Sequence, residues 1–393
     1  MRLVRLRKGI ASTLRKGHPW VYRDAIEEPQ LEAGEWVRLV DGAGKSVGIG
    51  FADEGPIALR LLAPSTSSLE PDWLRCRVAS ALKIRKALIE PKTNAYRWIH
   101  GEADRLPGLV VDRYDSYLVI RFDSEGAALF YGGKSAHFEE LVDALRAAEP
   151  TIKGILLRKG RGISKKTELL WGQAPPLVTV LECGMKLLVD LQHGQKTGLF
   201  LDHRHSRQRI RHLAHGRRVL DLYGYTGAFS VAAGLGKARE VHTVDTAEAA
   251  LKIAHENWLN NGLPPSSHIT ICADVPSHLK ELRKKQERFD LIIADPPSFA
   301  PHADAVPQAM RSYITLHRAC LDLLAPGGIY FAASCSSHIS ITHFDESIRE
   351  AASSFPRHLR ILERWGGGPD HPRTPSFPEG DYLKCLLMMV EPG

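Results

Sequence analysis

The sequence predicts an α/β protein. Its C-terminal half should be a parallel sheet with helices on both faces, preceded by a small β-rich module and a middle α/β segment. Three observations predict this. From Gly194 onward, short apolar runs alternate with helix-like stretches, the signature of successive strand–helix–strand units. Residues 1–66 instead carry closely spaced β-rich runs with turn signals between them. Between the two, apolar residues recur at helical spacing over residues 73–89, and isolated strand-like runs follow.

Length and composition bound the answer. A chain of 393 residues suggests two or three domains. It is 44% apolar and 25% charged, enough apolar mass for sizeable cores. Lys plus Arg is 52 against 45 for Asp plus Glu, a net charge of +7 that suits a polyanionic partner without identifying one. The six cysteines are scattered with no CxxC pair, which argues against a disulfide framework or a metal site and predicts a reducing cytoplasm. No apolar stretch approaches the ~20 residues that span a bilayer, so no membrane partner is expected. The basic N-terminus lacks the apolar core of a signal peptide.

The elements follow in order. Residues 3–6, 36–40, 47–51 and 57–61 read as strands, with a hairpin turn at Asp41-Gly42-Ala43-Gly44. Gly17-His18-Pro19-Trp20-Val21-Tyr22 reads as a loop with exposed aromatics, and residues 63–71 as a polar linker. The middle unit, 72–190, should hold helices over 73–89 and 138–148 and strands over 117–122 and 155–158. The loop from Gly101 to Gly108 reads as a turn between elements. The last unit, 191–393, offers strands at 218–222, 241–245, 269–273, 291–295 and 329–333, then 359–362 and 383–389, with helices over 246–260 and 309–324.

The first of these strands runs into Asp221-Leu222-Tyr223-Gly224-Tyr225-Thr226-Gly227, whose small residues let a ligand approach the backbone. It is neither GxGxxG nor a phosphate-cradling P-loop, so a nucleoside ligand with little phosphate is expected. The second strand ends in Asp245, 24 residues after Asp221, where an acid meets ribose hydroxyls. Asp274 follows the third strand, placed for an adenine amino group. Taken singly, each acid reads as a helix N-cap. Together with the glycine loop they fit S-adenosylmethionine, whose sulfonium cation favours an acidic cleft.

Asp295-Pro296-Pro297-Ser298-Phe299 follows the fourth strand, and its prolines hold the loop out of helical geometry. The fifth strand ends in Ser334-Cys335-Ser336, 40 residues beyond Asp295 at the cysteine. If these strands are parallel neighbours, an acid and a thiol open into one cleft. Carbon 5 of cytosine needs such a pair: a thiolate adds to carbon 6, and an acid attends N3. Cys335 is the candidate nucleophile and Asp295 its partner. Cys272, Cys320 and Cys385 read as small core hydrophobes, which is also the plain alternative for Cys335.

These motifs carry a resemblance. The chain resembles the bacterial large-subunit ribosomal RNA cytosine-C5 methyltransferases that carry an N-terminal PUA domain. The likeness rests on Gly17-His18-Pro19-Trp20-Val21, on the run from Asp104 to Asp112, and on Gly194-Gln195-Lys196-Thr197-Gly198-Leu199-Phe200-Leu201-Asp202. Tyr225-Thr226-Gly227, Asp295-Pro296-Pro297, Ser334-Cys335-Ser336 and the run from Pro378 to Lys384 complete it. It implies a PUA β-barrel at 1–66, a central α/β domain at 72–190, and a Rossmann-like class I methyltransferase domain at 191–393. That last domain should be seven-stranded with its last strand antiparallel.

The resemblance further implies that Lys196, Thr197, Gly198, Phe200, Asp202, Thr246, Asp295 and Pro296 join the cofactor-binding set. It implies 23S ribosomal RNA as partner, as free RNA or an early assembly particle, and it allows a homodimer. Many RNA C5 methyltransferases place a second cysteine after the Pro-Pro; here it is Ser298. Related chains methylate guanine N7, and a non-catalytic RNA-binding assembly factor is the reading from another class. For RNA contact the sequence offers Arg204 and Arg207 within an arginine-rich stretch, and His18, Trp20, Tyr22 and Phe299 as aromatic or polar contacts. Lys159, Arg161, Lys165 and Lys166 form a second basic run. A cytosine inside a helix would have to be flipped out to reach Cys335.

Overall fold

The computed structural model describes residues 1–393 except 8, 28–29, 65–68, 134, 161–165 and 393. Part of the expected linker (65–68), together with Arg161 and Lys165, therefore lies outside the described residues. The chain forms two compact units. One comprises Met1–Val180, Val189–Leu201 and Pro369–Gly380; the other comprises Leu181–Leu188, Asp202–Gly368 and Asp381–Gly393.

The first unit opens with β1 (Arg2–Arg5), α1 (Ala11–Arg15), β2 (Trp20–Tyr22), β3 (Trp36–Val40), β4 (Ser46–Ala52) and β5 (Ile57–Pro64). They make one five-stranded sheet in the order β1-β3-β4-β5-β2. The turn between β3 and β4 forms as its sequence requires: Asp41 Oδ1 accepts from the backbone N–H of Ala43 and Lys45, and Gly44 takes a φ of 79°. The expected loop at Trp20–Tyr22 is instead a strand, paired antiparallel to β5. Its alternating Trp-Val-Tyr buries Val21 in the barrel core.

Next come α2 (Trp73–Leu88), β6 (Ala95–His100), β7 (Leu109–Tyr114), β8 (Tyr117–Phe122), α3 (Glu125–Tyr131), α4 (Ala136–Ala148), β9 (Gly154–Lys159) and β10 (Lys166–Gly172). The sheet order is β10-β9-β8-β7-β6. Apolar residues of α2, α3 and α4 share a core with this sheet. Phe51 and Leu62 of the N-terminal barrel enter the same core, and Phe51 stacks on Phe130 with centroids 4.4 Å apart. The run between Gly101 and Gly108 is pinned by a buried ion pair. Arg85 donates to both carboxylate oxygens of Asp104, at 2.6 and 2.8 Å, and to the carbonyls of Arg97 and Asp370.

A hairpin, β11 (Leu177–Glu182) and β12 (Met185–Asp190), leads toward the second unit. That unit holds α5 (Arg204–Leu213), β13 (Arg218–Leu222), α6 (Ala228–Leu235), β14 (Glu240–Asp245), α7 (Glu248–Asn260), β15 (His268–Cys272), α8 (Val275–Lys284) and β16 (Phe289–Ala294). It ends with α9 (Val306–Leu323), β17 (Leu324–Ser334), α10 (Ile341–Ala352), β18 (Leu359–Trp365) and β19 (Lys384–Val390). The seven-stranded sheet runs β15-β14-β13-β16-β17-β19-β18, with β19 antiparallel to both of its neighbours.

The strands are apolar on both faces because both are covered. Leu220, Leu222, Ile292 and Tyr330 face one core with α8, α9 and α10. Val219, Leu291, Ile293 and Phe331 alternate with them and face a second core with α5, α6 and α7. Strand order reverses between β13 and β16, the topological switch point beside which ligands of such sheets bind. No helix among the described residues is long and apolar enough to cross a membrane.

The Arg85–Asp104 pair generates a prediction. Arg85→Met should cost about 3–5 kcal/mol, because it strands a buried carboxylate, whereas removing both charges (Arg85→Met with Asp104→Leu) should recover most of the loss. Urea midpoints of the two variants measure this.

Candidate active site

The carboxyl ends of β13, β14, β16 and β17 form one edge of the sheet. Asp221 pairs in register with Thr243 and Ile293, and Asp245 ends β14. β16 and β17 are parallel neighbours, so Asp295 and Cys335 each follow the end of adjacent strands at that edge. The sequence expectation that acid and thiol share one edge is met.

The loop after β13 is conformationally costly. Tyr223, Tyr225 and Gly227 have φ of 61°, 49° and 73°, all left-handed. Glycine takes that φ without penalty; tyrosine does not, and such outliers cluster at ligand sites. The loop is fastened by Tyr225 N–H donating to Asp245 Oδ2 at 2.9 Å. A Cβ at Gly224 would lie 2.5 Å from Thr243 Cγ2, and one at Gly227 2.7 Å from Ala254 Cβ, so only glycine fits either place.

Asp221 is buried. Its Oδ2 accepts from Ser230 Oγ at 2.6 Å, while Oδ1 has no hydrogen-bond partner among the described residues. Burial pushes its carboxyl up to about 7, the Ser230 hydrogen bond opposes this, and the neighbouring Asp295 and Asp245 add to the rise. Asp245 Oδ1 also accepts from Ala247 N–H. Asp274 is exposed and caps α8, accepting from Ser277 N–H and Oγ, so its side chain serves the helix start. Thr246 is exposed and its carbonyl accepts from Cys272 Sγ.

Around Asp295 and Cys335 the structure adds groups the sequence reasoning missed. His203 is 1% exposed, and its Nε2 lies 3.1 Å from Asp295 Oδ2 while its Nδ1 meets Ser206 Oγ. Burial alone would lower the imidazole, but the Asp295 carboxylate outweighs it and holds His203 well above its usual range. Ser298 Oγ lies 2.9 Å from Ser336 Oγ, tying the Pro-Pro loop to the Cys335 loop. Tyr313 OH donates to Ser334 Oγ at 2.9 Å. Lys384, 5% exposed at the start of β19, donates to the carbonyls of Ser336 at 2.6 Å and Tyr382 at 2.8 Å. Tyr382 OH in turn donates to Asp202 Oδ2 at 2.6 Å. His203 follows Asp202 in a motif already singled out. A lysine inside the apolar run of β19 was the available signal for Lys384.

Several expectations are corrected. Arg204 and Arg207 are 4% and 2% exposed, so they are not an open basic face. Arg207 makes a two-pronged ion pair with buried Glu182, while Arg209 and Arg218 pair with Glu363 and with Glu240 and Glu287. The acids come from distant strands and loops, so these three arginines are neutralised from outside the run. Phe299 is half-buried against Tyr313, centroids 4.9 Å apart, and packs on the core. Pro296 is buried. Cys272 is exposed rather than buried, because β15 is an edge strand. Cys320 and Cys385 are buried, and Cys335 is half-buried.

The remaining expected residues lie in the first unit. Trp20 Nε1–H donates to Glu102 at 2.8 Å, and its ring meets Phe377 edge-on at 4.5 Å, so it is committed to packing rather than offered outward. His18 lies between the Trp20 carbonyl and Glu379, and Tyr22 is 40% exposed. Thr197 is buried, with its hydroxyl on Asp112 and Tyr114. Gly198 takes a φ of 146°, and Lys196 lies over the Phe200 ring at 4.4 Å.

The family described as S-adenosylmethionine-dependent methyltransferase matches residues 135–388, and a PUA-like domain matches residues 4–64. The chain belongs to the S-adenosylmethionine-dependent methyltransferases. A protein named ribosomal RNA large subunit methyltransferase I from Erwinia tasmaniensis is 35% identical over 396 residues, covering 98% of each chain. One of the same name from Yersinia pseudotuberculosis is 34% identical over 397 residues, again covering 98% of both. A solved SAM-dependent methyltransferase structure from Streptococcus mutans has a TM-score of 0.86 at 24% identity, over 99% of this chain and 100% of that one. A methyltransferase structure complexed with SAH has a TM-score of 0.88 at 24% identity and the same coverage. Both of the latter show the fold.

The cofactor of this methyltransferase is S-adenosylmethionine, and the residues at the switch point fit it. A buried carboxylate oxygen without a hydrogen-bond partner among the described residues, two further acids acting on it, and a loop with two positions that only glycine fits suit a cationic nucleoside ligand.

Asp221 gives a pH prediction. Its carboxyl is raised from an ordinary 3.8 to about 7 in the folded chain, so the folded state holds that proton more tightly than the unfolded state. The resulting stability is present below about pH 4 and is lost as pH rises through about 7. Without ligand, the wild type should therefore lose denaturant midpoint relative to Asp221→Asn between pH 5 and pH 8. An unchanged difference between the two would contradict the assignment.

Proposed function

We propose that this chain methylates carbon 5 of a cytosine in 23S ribosomal RNA through a covalent bond between Cys335 Sγ and carbon 6 of that cytosine. The observation that carries the reading is the pair at the ends of parallel neighbours β16 and β17, Asp295 and Cys335, beside the switch point. The relatives' name, ribosomal RNA large subunit methyltransferase I, supports ribosomal RNA as the substrate class. The alternative of guanine N7 gives a thiol at this place nothing to do.

S-adenosylmethionine, when bound, supplies an electrophilic methyl group. Asp221, the loop from Tyr223 to Gly227, and Asp245 would hold its nucleoside, with Thr246, Asp274 and Pro296 at the margin. The Cys335 thiolate adds to carbon 6. The C5–C6 π pair moves into the C4–C5 bond, and the C4–N3 π pair moves onto N3, which takes a proton. Asp295 attends that proton, and His203 behind it fixes the carboxyl group. Carbon 5 is then nucleophilic: the C4–C5 π pair forms the new bond to the methyl carbon, the pair of the broken sulfonium–methyl bond leaves with the thioether product, and the N3 pair re-forms the C4–N3 double bond. Loss of the C5 proton to a base restores the C5–C6 double bond and expels the thiolate, and the N3 proton returns to the Asp295–His203 pair. With Ser298 in place of a second cysteine, the same sulfur must both attack and leave.

The PUA-like domain orients the RNA in this reading, with exposed Tyr22 as a stacking contact.

Cys335→Ala should lower turnover by on the order of a thousandfold or more while leaving cofactor binding within a few fold. RNA carrying 5-fluorocytosine should form a denaturation-stable adduct with the wild type, because fluorine cannot leave as a proton does. Retained methyl transfer by Cys335→Ala would sink the covalent route. Nucleoside mass spectrometry of ribosomal RNA from cells with and without the gene identifies the methylated atom.

A further inference from the structure

We infer that Lys384 is the cationic partner of Cys335, holding its sulfur as a thiolate before any substrate arrives. The inference rests on the reading of Cys335 as nucleophile, and it adds a positioning residue that acts on the sulfur by charge.

Lys384 is 5% exposed and sits on a strand with a neighbour on each side. A buried ammonium is costly unless something compensates its charge. Its two hydrogen-bond acceptors are neutral, the carbonyls of Ser336 and Tyr382. Register then fixes where the charge lies. Lys384 pairs with Ser334 across the β17–β19 ladder, and its Nζ reaches the carbonyl of Ser336. The side chain thus spans from the residue before Cys335 to the residue after it.

The ionisable surroundings agree. Burial pushes the Lys384 ammonium down to about 8, and of the groups that oppose this Cys335 acts most strongly, ahead of Asp381 and Cys385. From α9, Tyr313 is bonded to the serines on either side of Cys335, and burial raises its phenol, so it stays neutral. From the loop after β16 comes Asp295, whose charge is met by His203. The cation is therefore opposed by the thiol ahead of the exposed carboxylate of Asp381. The chemistry is simple. The S–H proton leaves to solvent, the ammonium keeps its protons, and nothing is oxidised or reduced. A cation beside a thiol lowers the pH at which the thiolate forms. This one works below about pH 8, where an ordinary thiol, near 8.5, is still mostly protonated.

A purely structural lysine would only tie the two loops together through Ser336 and Tyr382. Lys384→Gln retains an N–H donor and removes the charge; Lys384→Arg keeps both. The test is iodoacetamide alkylation of the full chain as a function of pH, followed peptide by peptide by mass spectrometry. The exposed Cys76 of the same chain serves as the internal comparison. In the wild type, Cys335 should alkylate with a midpoint below that of Cys76. In Lys384→Gln the midpoint should rise by about one unit, a roughly tenfold slower reaction at pH 7, while Lys384→Arg stays near the wild type.

A wild-type midpoint at or above that of Cys76 overturns the inference even if the glutamine variant fails to fold. An unmoved midpoint in Lys384→Gln overturns it as well. Because alkylation needs no methyl transfer, the two readings fail separately. Activity retained in Cys335→Ala removes the covalent mechanism, whereas an unmoved midpoint removes only the role of Lys384.

Discussion

The candidate active site depends on the direction of the strands that flank β17. β16 runs parallel to it, so the residue after each strand, Asp295 or Cys335, emerges at the same edge. β19 runs antiparallel, so it is the beginning of that strand, Lys384, that arrives there. Had β19 been parallel, its opening lysine would lie at the far edge of the sheet. An acid, a thiol and a cation from separate parts of the chain are thus gathered by ladder hydrogen bonds, before any side-chain attraction is counted. Strand pairing is the cheaper device, because the two covering cores already demand it.

The polar groups at this edge are held by short links. Ser298 to Ser336, Tyr313 to Ser334, Lys384 to Ser336 and His203 to Asp295 join three loops to the sheet and to α9. Each link satisfies a group that burial would otherwise penalise, and together they restrict the loops to one arrangement. The glycine loop stores the opposite kind of cost. Tyr223 and Tyr225 are held in left-handed conformations, and the hydrogen bond from Tyr225 to Asp245 helps keep them there.

The sequence was most legible where one residue's neighbours decide its role. Apolar runs ending in Asp221, Asp245 and Asp295 announce strands whose carboxyl ends carry acids, and the β13-to-β19 strands form where those runs lie. It was least legible where a partner comes from far along the chain. Arg207 looks like part of a basic face until Glu182, 25 residues earlier, neutralises it inside the unit. Trp20 looks exposed until Glu102 takes its N–H. Lys384 finds its acceptor 48 residues away, across a ladder whose antiparallel sense is not written in either strand. Cys272 shows the same gap for burial: an apolar strand reads the same whether it lies at the centre or the edge of a sheet, and β15 lies at the edge.

The position of β19 has a consequence for biosynthesis. It lies inside the sheet, between β17 and β18, yet it follows every other strand of that sheet in the chain. In the order of synthesis β17 and β18 both precede residues 384–390, which lie between them in the finished sheet. The sheet therefore cannot form by adding strands at an edge in chain order, and its closing ladder joins residues as far apart in the chain as Ile329 and Met389. Lys384 travels on that closing strand. A nascent chain that already carries Asp295 and Cys335 still lacks the cation proposed for its thiol.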